Sequence, residues 1–269
     1  MIEWRHWHNE PYLVGGLILL GWLYALFTGP LRAWLAPGEP YPRRRAIKFY
    51  SALVVFYLAV GSPLDQIGER FLFSAHMVQH ALLMYATPIL MLLGLPSWLV
   101  DPVLGQPALR TAGRIATHPV ICGLVYVLVT SVWHAPVLYE WALQDKLIHV
   151  LEHLMFFGCA LFYWWPQLSP SQVFPRRRYA TQMLFQTAVM IGLTPLYAYI
   201  TFSPDILYPT YEFAPRVIAG FTAKEDQLLA GIIMKIGGML VALTAVAVSF
   251  YHWYQASESK RGTDRRSAT

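Results

Sequence analysis

The sequence predicts an all-α membrane protein, a polytopic bundle of seven transmembrane helices. Of the 269 residues, 56% are hydrophobic and only 13% are charged, and the mean hydropathy is +0.42. These values lie outside the range that is usual for soluble domains. A helix needs about twenty apolar residues to cross the hydrocarbon layer of a bilayer. Several segments of the chain meet that length with at most one or two ionisable groups.

Seven apolar segments account for the predicted helices. The first could be a signal peptide, but the residues before it include Glu3 and Glu10 against the single Arg5, and no A-x-A cleavage pattern follows it. We therefore expect this segment to be a retained helix. The seven predicted spans are Tyr12–Thr28, Ala46–Gly61, Phe71–Gly94, Pro119–His134, Lys146–Trp165, Tyr179–Phe202 and Gln227–Tyr254. They form one transmembrane domain over residues 1–256, and residues 257–269 form a polar cytoplasmic tail.

Lysine and arginine residues are distributed unevenly between the two sides of the predicted bundle. Fourteen lie in the first, third and fifth loops and in the tail, whereas five lie on the other side. Because cytoplasmic loops are enriched in basic residues, this distribution predicts an outer N-terminus and a cytoplasmic C-terminus. The basic residues lie where helix ends meet water, a pattern that favours contact with the lipid bilayer over nucleic-acid binding.

Five of the nine histidines lie in or at the ends of predicted spans. Two pairs among them have a spacing of four, which places both rings of a pair on one face of a helix. With the topology given above, and a rise of about 1.5 Å per residue, both pairs lie roughly 5–15 Å below the outer surface. Ionisable groups at such positions are usually functional. We therefore predict a buried metal site near the outer leaflet, with these imidazole ligands: His76, His80, His134, His149 and His153.

Two methionines lie on the same helical face as the first histidine pair. Met77 and Met84 follow His76 and His80 at helical spacing. Thioether and imidazole groups together favour Cu(I), whereas the scarcity of carboxylates disfavours magnesium and calcium. We therefore predict a copper site with Met77 as a further ligand.

Other polar residues are predicted to support the ligands from outside the coordination sphere. Glu152 lies between His149 and His153 in sequence, where it could orient a ligand imidazole. Lys235 lies about two turns inside the last span and needs a partner, for which Glu152 is the candidate. The predicted supporting residues are Glu152, Asp226, Gln227, Lys235 and Met84.

The residues leave three other interpretations open. Two of the five histidines could hold a haem, as in a b-type cytochrome. The segment from His149 to His153 also matches the H-x-x-E-H pattern of zinc proteases, in which Glu152 would be the general base. The histidines could finally form hydrogen bonds between helices without any metal. The sequence contains no evident nucleophile or phosphate-binding loop, so we do not expect an enzyme.

Short motifs spread over nearly the whole chain resemble one family, the multi-pass CtaG-type cytochrome c oxidase assembly factors. This family differs from the single-span copper chaperones that sometimes share its label. One departure is Met234-Lys235, where a tryptophan is expected after the methionine. The matching segments are Ser62–Asp65, Ala75–His80, Trp133–Pro136 with Leu138 and Tyr139, His149–His153, Trp164–Pro166 and Asp226–Gly231.

The resemblance implies a protein of the bacterial plasma membrane that is needed to mature a haem-copper oxidase. Its implied partners are the catalytic subunit of that oxidase and an outer-face copper donor protein. In this interpretation His134 guards the mouth of the site, and copper then passes laterally to histidines of the oxidase. The ligands expected to take up Cu(I) are His76, His80, His149 and His153.

Overall fold

The structure is a computed structural model that describes residues 7–267. These residues form helices joined by loops, and no strand occurs among them. Seven principal helices, labelled in chain order, are α1 (Pro11–Thr28), α2 (Arg43–Gly61), α3 (Phe73–Gly94), α4 (Pro119–Trp133), α5 (Lys146–Leu168), α6 (Tyr179–Phe202) and α7 (residues 223–267). Shorter helices in the connections are Arg32–Leu35, Pro63–Arg70, Ser97–Leu104, Pro107–Ala116, Pro136–Gln144 and Pro209–Glu212.

Five of the principal helices are long and apolar enough to cross a membrane by themselves, namely α1, α3, α5, α6 and α7. Helix α2 meets the criterion only together with Pro63–Arg70, across a bend of 41°, and α4 only together with Pro107–Ala116, across a bend of 66°. A proline begins the second helix of each pair, where its missing N–H costs nothing. The predicted all-helical membrane class is confirmed, with five to seven candidate membrane-spanning helices among the described residues.

Several helix ends differ from the predicted ones by a few residues, and capping explains two of them. Helix α7 begins at Ala223, four residues before the predicted start, because Thr222 and Glu225 form a reciprocal capping box. Helix α3 begins at Phe73, where a side chain from α7 accepts hydrogen bonds from its first backbone N–H groups. Helix α7 also continues past its predicted end through residue 267, into the polar tail, whose last two residues lie outside the described range.

Helix α5 lies at the centre of the bundle, against α4 and the second half of α3, and α6 packs between α4 and α7. Many large apolar side chains face outward, as expected for contact with lipid; Trp22, Leu184 and Leu240 are each more than half exposed. The main core is rich in aromatic rings, which are those of Tyr126, Trp133, Phe156, Tyr163, Trp164, Phe185 and Tyr197.

Two of the principal helices contain a π-helical turn. One occupies Leu82–Ala86 in α3, and the other occupies Ile233–Gly237 in α7. A Cβ atom built at Gly238 would lie 2.8 Å from the Tyr85 hydroxyl, so a side chain of the first turn reaches the residue that follows the second. Single π turns occur often near functional sites, and here the first one directly follows a histidine-bearing segment of α3.

Helices α2 and α3 approach most closely at Gly94. A Cβ atom there would lie 2.7 Å from the backbone nitrogen of Phe49 and 2.8 Å from its Cα. Backbone atoms cannot rotate away as a side chain can, so we expect Gly94→Ala to destabilise the protein by about 1–3 kcal/mol. The midpoint temperature of unfolding in detergent should fall accordingly.

Gly158 in α5 provides the matched control for Gly94, because a Cβ atom there would meet nothing within 4 Å. Glycine inside a helix costs roughly 0.5–1 kcal/mol relative to alanine, so Gly158→Ala should leave the midpoint unchanged or raise it. An equal midpoint temperature for Gly94→Ala and the unchanged protein would contradict the close approach of α2 and α3 at this residue.

Candidate metal centre

The five predicted histidines lie together at one end of the bundle. His76 and His80 belong to the first turns of α3, and His149 and His153 belong to the first turns of α5. His134 directly follows the last residue of α4, whose chain direction is opposite, so it reaches the same end. All five side chains are buried, with at most 5% of each residue exposed.

The rings contact one another across the helices as well as along them. The ring centroids of His76 and His80 are 4.3 Å apart, and those of His149 and His153 are 4.1 Å apart. Between helices, the His76 ring lies 5.4 Å from His149 and 5.8 Å from His153, and the His80 ring lies 5.7 Å from His134. The predicted convergence on one pocket is therefore observed, whereas metal ligation stays a prediction.

Four residues bring one possible ligand atom each to within 4.8 Å of all the others; we call them the histidine group, consisting of His76, His149, Glu152 and His153. In tetrahedral coordination, ligand atoms about 2 Å from one ion lie roughly 3.3 Å apart. The group would thus have to contract by up to about 1.5 Å to close around an ion. Glu152, predicted as a supporting residue, lies among the donor atoms, and His80 lies beside them.

Many buried polar atoms of this region lack hydrogen-bond partners among the described residues. They include the Nε2 atoms of His76, His134, His149 and His153, both ring nitrogens of His80, and both carboxylate oxygens of Glu152. An unsatisfied buried polar group costs about 1–3 kcal/mol, so a native protein rarely gathers several without a ligand to bind them. The donor set of imidazoles and one carboxylate fits a transition-metal ion such as copper or zinc.

Hydrogen bonds fix which nitrogen two of these rings present. The Nδ1 atom of His134 lies 2.6 Å from the carbonyl oxygen of Thr130, and that of His149 lies 2.6 Å from a carboxylate oxygen of Glu69. A carbonyl oxygen only accepts, and a carboxylate accepts when ionised, so Nδ1 donates in both rings. Each ring then presents the lone pair of Nε2, the arrangement typical of metal-binding histidines.

A tyrosine sets the orientation of His76 in the same way. The Tyr211 hydroxyl donates to the carbonyl oxygen of Gly68 at 2.8 Å, so its oxygen can accept a hydrogen bond from Nδ1–H of His76 at 3.0 Å. Gly68 is needed for this contact, because a Cβ atom there would lie 3.0 Å from the Cα of His76. His76 therefore also presents Nε2 to the pocket.

Glu69 and Tyr211 were not predicted as site residues. Glu69 belongs to Pro63–Arg70, a short helix after a 41° bend, and only the folded chain shows that this helix lies against α3. Asp65, one turn earlier, contacts Nδ1 of His8 at 2.8 Å. This hydrogen bond raises the pKa of His8 above its usual value, against the desolvation that would lower it. The sequence signal for these two carboxylates is the spacing of four between Asp65 and Glu69, which places both on one face of a helix.

Two predicted supporting residues of α7 stabilise backbone elements around the site without touching the histidines. Asp226 accepts hydrogen bonds from the backbone N–H groups of Phe73 and Ser74, at 2.6 and 3.0 Å, and so caps the start of α3. Gln227 binds the connection before α7, accepting from the Leu207 N–H at 2.8 Å and donating to a backbone carbonyl at 3.0 Å.

The predicted ion pair between Lys235 and Glu152 is wrong. The Lys235 ammonium lies 2.9 Å from the hydroxyl of Thr194 in α6, on the partly exposed side of the π turn in α7. Glu152 is fully buried, and one of its carboxylate oxygens lies 3.9 Å from Nε2 of His80. Residue spacing along α7 predicted the depth of Lys235 in the bundle. It could not predict the direction of the side chain, because the π turn changes that direction.

The two predicted methionines lie in apolar surroundings. Met77 packs in a buried cluster with Phe73 and Tyr139, and the Tyr139 ring lies 5.3 Å from that of His76. Met84 belongs to the main core, and its carbonyl oxygen accepts a hydrogen bond from the Trp164 indole. Ligation by Met77 stays a prediction, since its surroundings are those of a core methionine.

Comparison with known proteins identifies the family. The family model described as cytochrome c oxidase caa3 assembly factor (Caa3_CtaG) matches residues 22–256. The chain belongs to this family. The resemblance inferred from the short motifs is therefore confirmed, and the matched range includes all five histidines, Asp65 and Glu69. Neither a curated protein nor a solved structure gives a significant match. Membership of the family makes this chain a factor in cytochrome c oxidase assembly.

Proposed function

We propose that this assembly factor binds copper in the histidine group and supplies it to the buried copper centre of a haem-copper oxidase. The observation that carries the proposal is the concentration of unpartnered imidazole nitrogens and carboxylate oxygens in one buried pocket. The family supports a role in oxidase maturation. A haem-copper oxidase needs copper, and imidazole groups are good ligands for copper.

The position of the pocket suits an ion that has to leave again. The histidines occupy the first turns of α3 and α5, within about 10 Å of the helix ends. An ion at this depth would cross little hydrocarbon if an oxidase subunit docked beside the pocket. Direct transfer between two membrane proteins keeps the charge away from lipid, where an unpaired ion is costly. We propose that this end of the bundle is the outer one and that the protein acts as a carrier, without catalysis.

The alternative metals have less support from the same residues. A haem needs two imidazoles and leaves the other three histidines unexplained. A zinc protease needs Glu152 as a general base next to a metal-bound water, but the carboxylate lies among the donor atoms themselves. The experiment described next separates these possibilities.

Metal analysis of the purified protein, combined with its optical spectrum, tests the proposal. We expect one copper ion per chain to survive desalting, with no Soret band. The variant His76→Ala with His153→Ala should lose this copper, whereas His118→Ala should keep it, because His118 is an exposed residue at the start of α4, far along the helix from the site. A Soret band, or zinc without copper, would overturn the proposal.

A further inference from the structure

A second group of possible metal ligands lies next to the histidine group and shares one residue with it. Asp65, Glu69 and His149 bring one oxygen or nitrogen atom each to within 4.8 Å of one another. We call these three residues the rim group. Asp65 and Glu69 lie in Pro63–Arg70, the short helix that packs against the start of α3.

His149 belongs to both groups, and its two ring nitrogens have different surroundings. Its Nδ1 lies 2.6 Å from the Glu69 carboxylate, whereas its Nε2 has no hydrogen-bond partner among the described residues. The two nitrogens of an imidazole point in divergent directions, so one ring can contact ions on both of its sides. The ring therefore forms the physical boundary between the rim group and the histidine group.

The rim group is the more accessible of the two. The Glu69 side chain is 22% exposed, whereas Glu152 is fully buried and the histidines are at most 5% exposed. An ion arriving from the aqueous phase at this end of the bundle would thus meet Glu69 before it met the buried imidazoles.

The surroundings of Asp65 also point to a ligand. Asp65 is buried, and it is held by Nδ1 of His8 at 2.8 Å and by the side-chain amide nitrogen of Gln79. Gln79 is fully buried between the two histidines of α3, and its amide oxygen has no partner among the described residues. A buried acceptor beside a buried carboxylate is a costly arrangement unless a cation or a donor binds there.

We propose that the rim group is a second metal site, which takes a divalent transition-metal ion such as Cu²⁺ before it reaches the histidine group. The inference rests on the proposed function for the direction of transfer. Two carboxylates and one imidazole favour a divalent ion over Cu(I), which prefers softer ligands. Binding through Nδ1 of His149 shifts the ring proton from Nδ1 to Nε2, so the ring stays neutral. Transfer then breaks the bonds of the ion to Asp65, Glu69 and Nδ1 of His149. It forms bonds to His76, His153 and Nε2 of His149, whose proton returns to Nδ1, without any change of oxidation state.

Titration of the full-length protein with Cu²⁺, read by electron paramagnetic resonance, tests the second site. The unchanged protein should bind two Cu²⁺ ions. Asp65→Asn with Glu69→Gln should bind one, with several coordinating nitrogens. His76→Ala with His153→Ala should also bind one, with fewer nitrogens, because only the rim group is left intact. Glu212→Gln is the matched control, since it removes one exposed carboxylate from the connection that carries Tyr211, and it should leave both sites unchanged.

The outcomes distinguish this inference from the proposed function. One Cu²⁺ in the unchanged protein, lost in the histidine variant and kept in the Asp65 and Glu69 variant, would overturn the rim site and leave the proposed function standing. One Cu²⁺ that depends only on Asp65 and Glu69 would support the rim site and contradict the histidine group. Binding of copper by neither group would overturn both.

Discussion

Cells whose only copy of this protein carries His76→Ala and His153→Ala are expected to lose most cytochrome c oxidase activity, by about 10-fold or more. The two changes remove an imidazole from α3 and one from α5, so the histidine group keeps only His149 and Glu152. Two ligands on one helix cannot enclose an ion for which the proposed site supplies four residues from two helices. The oxidase should then contain its haem but lack its buried copper. Oxygen consumption by isolated membranes, divided by their haem content, measures the effect.

The same cells provide the controls for this prediction. His118→Ala should support normal oxidase activity, because its side chain makes no cap hydrogen bond at the start of α4 and is exposed. The amount of the double variant in the membrane has to equal that of the unchanged protein, since removal of buried imidazoles also removes packing. Normal activity at equal abundance would show that copper supply does not pass through these histidines.

Asp226→Ala is expected to cause the largest loss of stability among single substitutions at this end of the bundle. The carboxylate accepts hydrogen bonds from the backbone N–H groups of Phe73 and Ser74, and the residue before them, Leu72, provides no side-chain cap. The first N–H groups of a helix have no partner within it. Removal of a charged acceptor from two buried donors should cost about 3–5 kcal/mol. The unfolding midpoint in detergent should fall, and folded protein should be recovered in lower yield.

Asp226→Asn is the matched variant for this test. Asparagine keeps one oxygen that can accept from a backbone N–H, so its midpoint should lie between that of Asp226→Ala and that of the unchanged protein. Because the capped helix carries His76, copper retention should follow the same order among the variants. A free energy of unfolding for Asp226→Ala within about 0.5 kcal/mol of that of the unchanged protein would contradict the capping role.

Much of this site could be predicted from the sequence because two independent arguments agree. A spacing of four places His76 with His80 and His149 with His153 on single helix faces, and the loop charges place both pairs at one depth. Neither argument uses the other, and the structure brings the four rings and His134 together as expected. The helical class follows equally directly from hydropathy, since no other regular structure satisfies the backbone along such long apolar segments.

The contacts around the ligands depend on packing, which the sequence pattern does not contain. Glu69 reaches His149 because the chain bends after α2, and Tyr211 reaches His76 from a four-residue helix far along the chain. Lys235 points to Thr194 because α7 is not a regular α-helix at that position. Side-chain direction is predictable only where the helical repeat is uninterrupted, and the wrong partner assigned to Lys235 lies at such an interruption.

The π turn at Leu82–Ala86 divides α3 into two parts, and it offsets the side-chain directions of the second part from those of the first. Each residue of an α-helix advances the side-chain direction by about 100°, and the wider turn shifts that angle for everything after it. The segment with His76 and His80 can therefore keep both rings directed into the pocket, while the segment from Thr87 to Gly94 turns the face that packs best towards α2. Adaptation to bilayers of other thickness, or to other neighbours, can then proceed in the second segment without turning the imidazoles away from the pocket in which they meet.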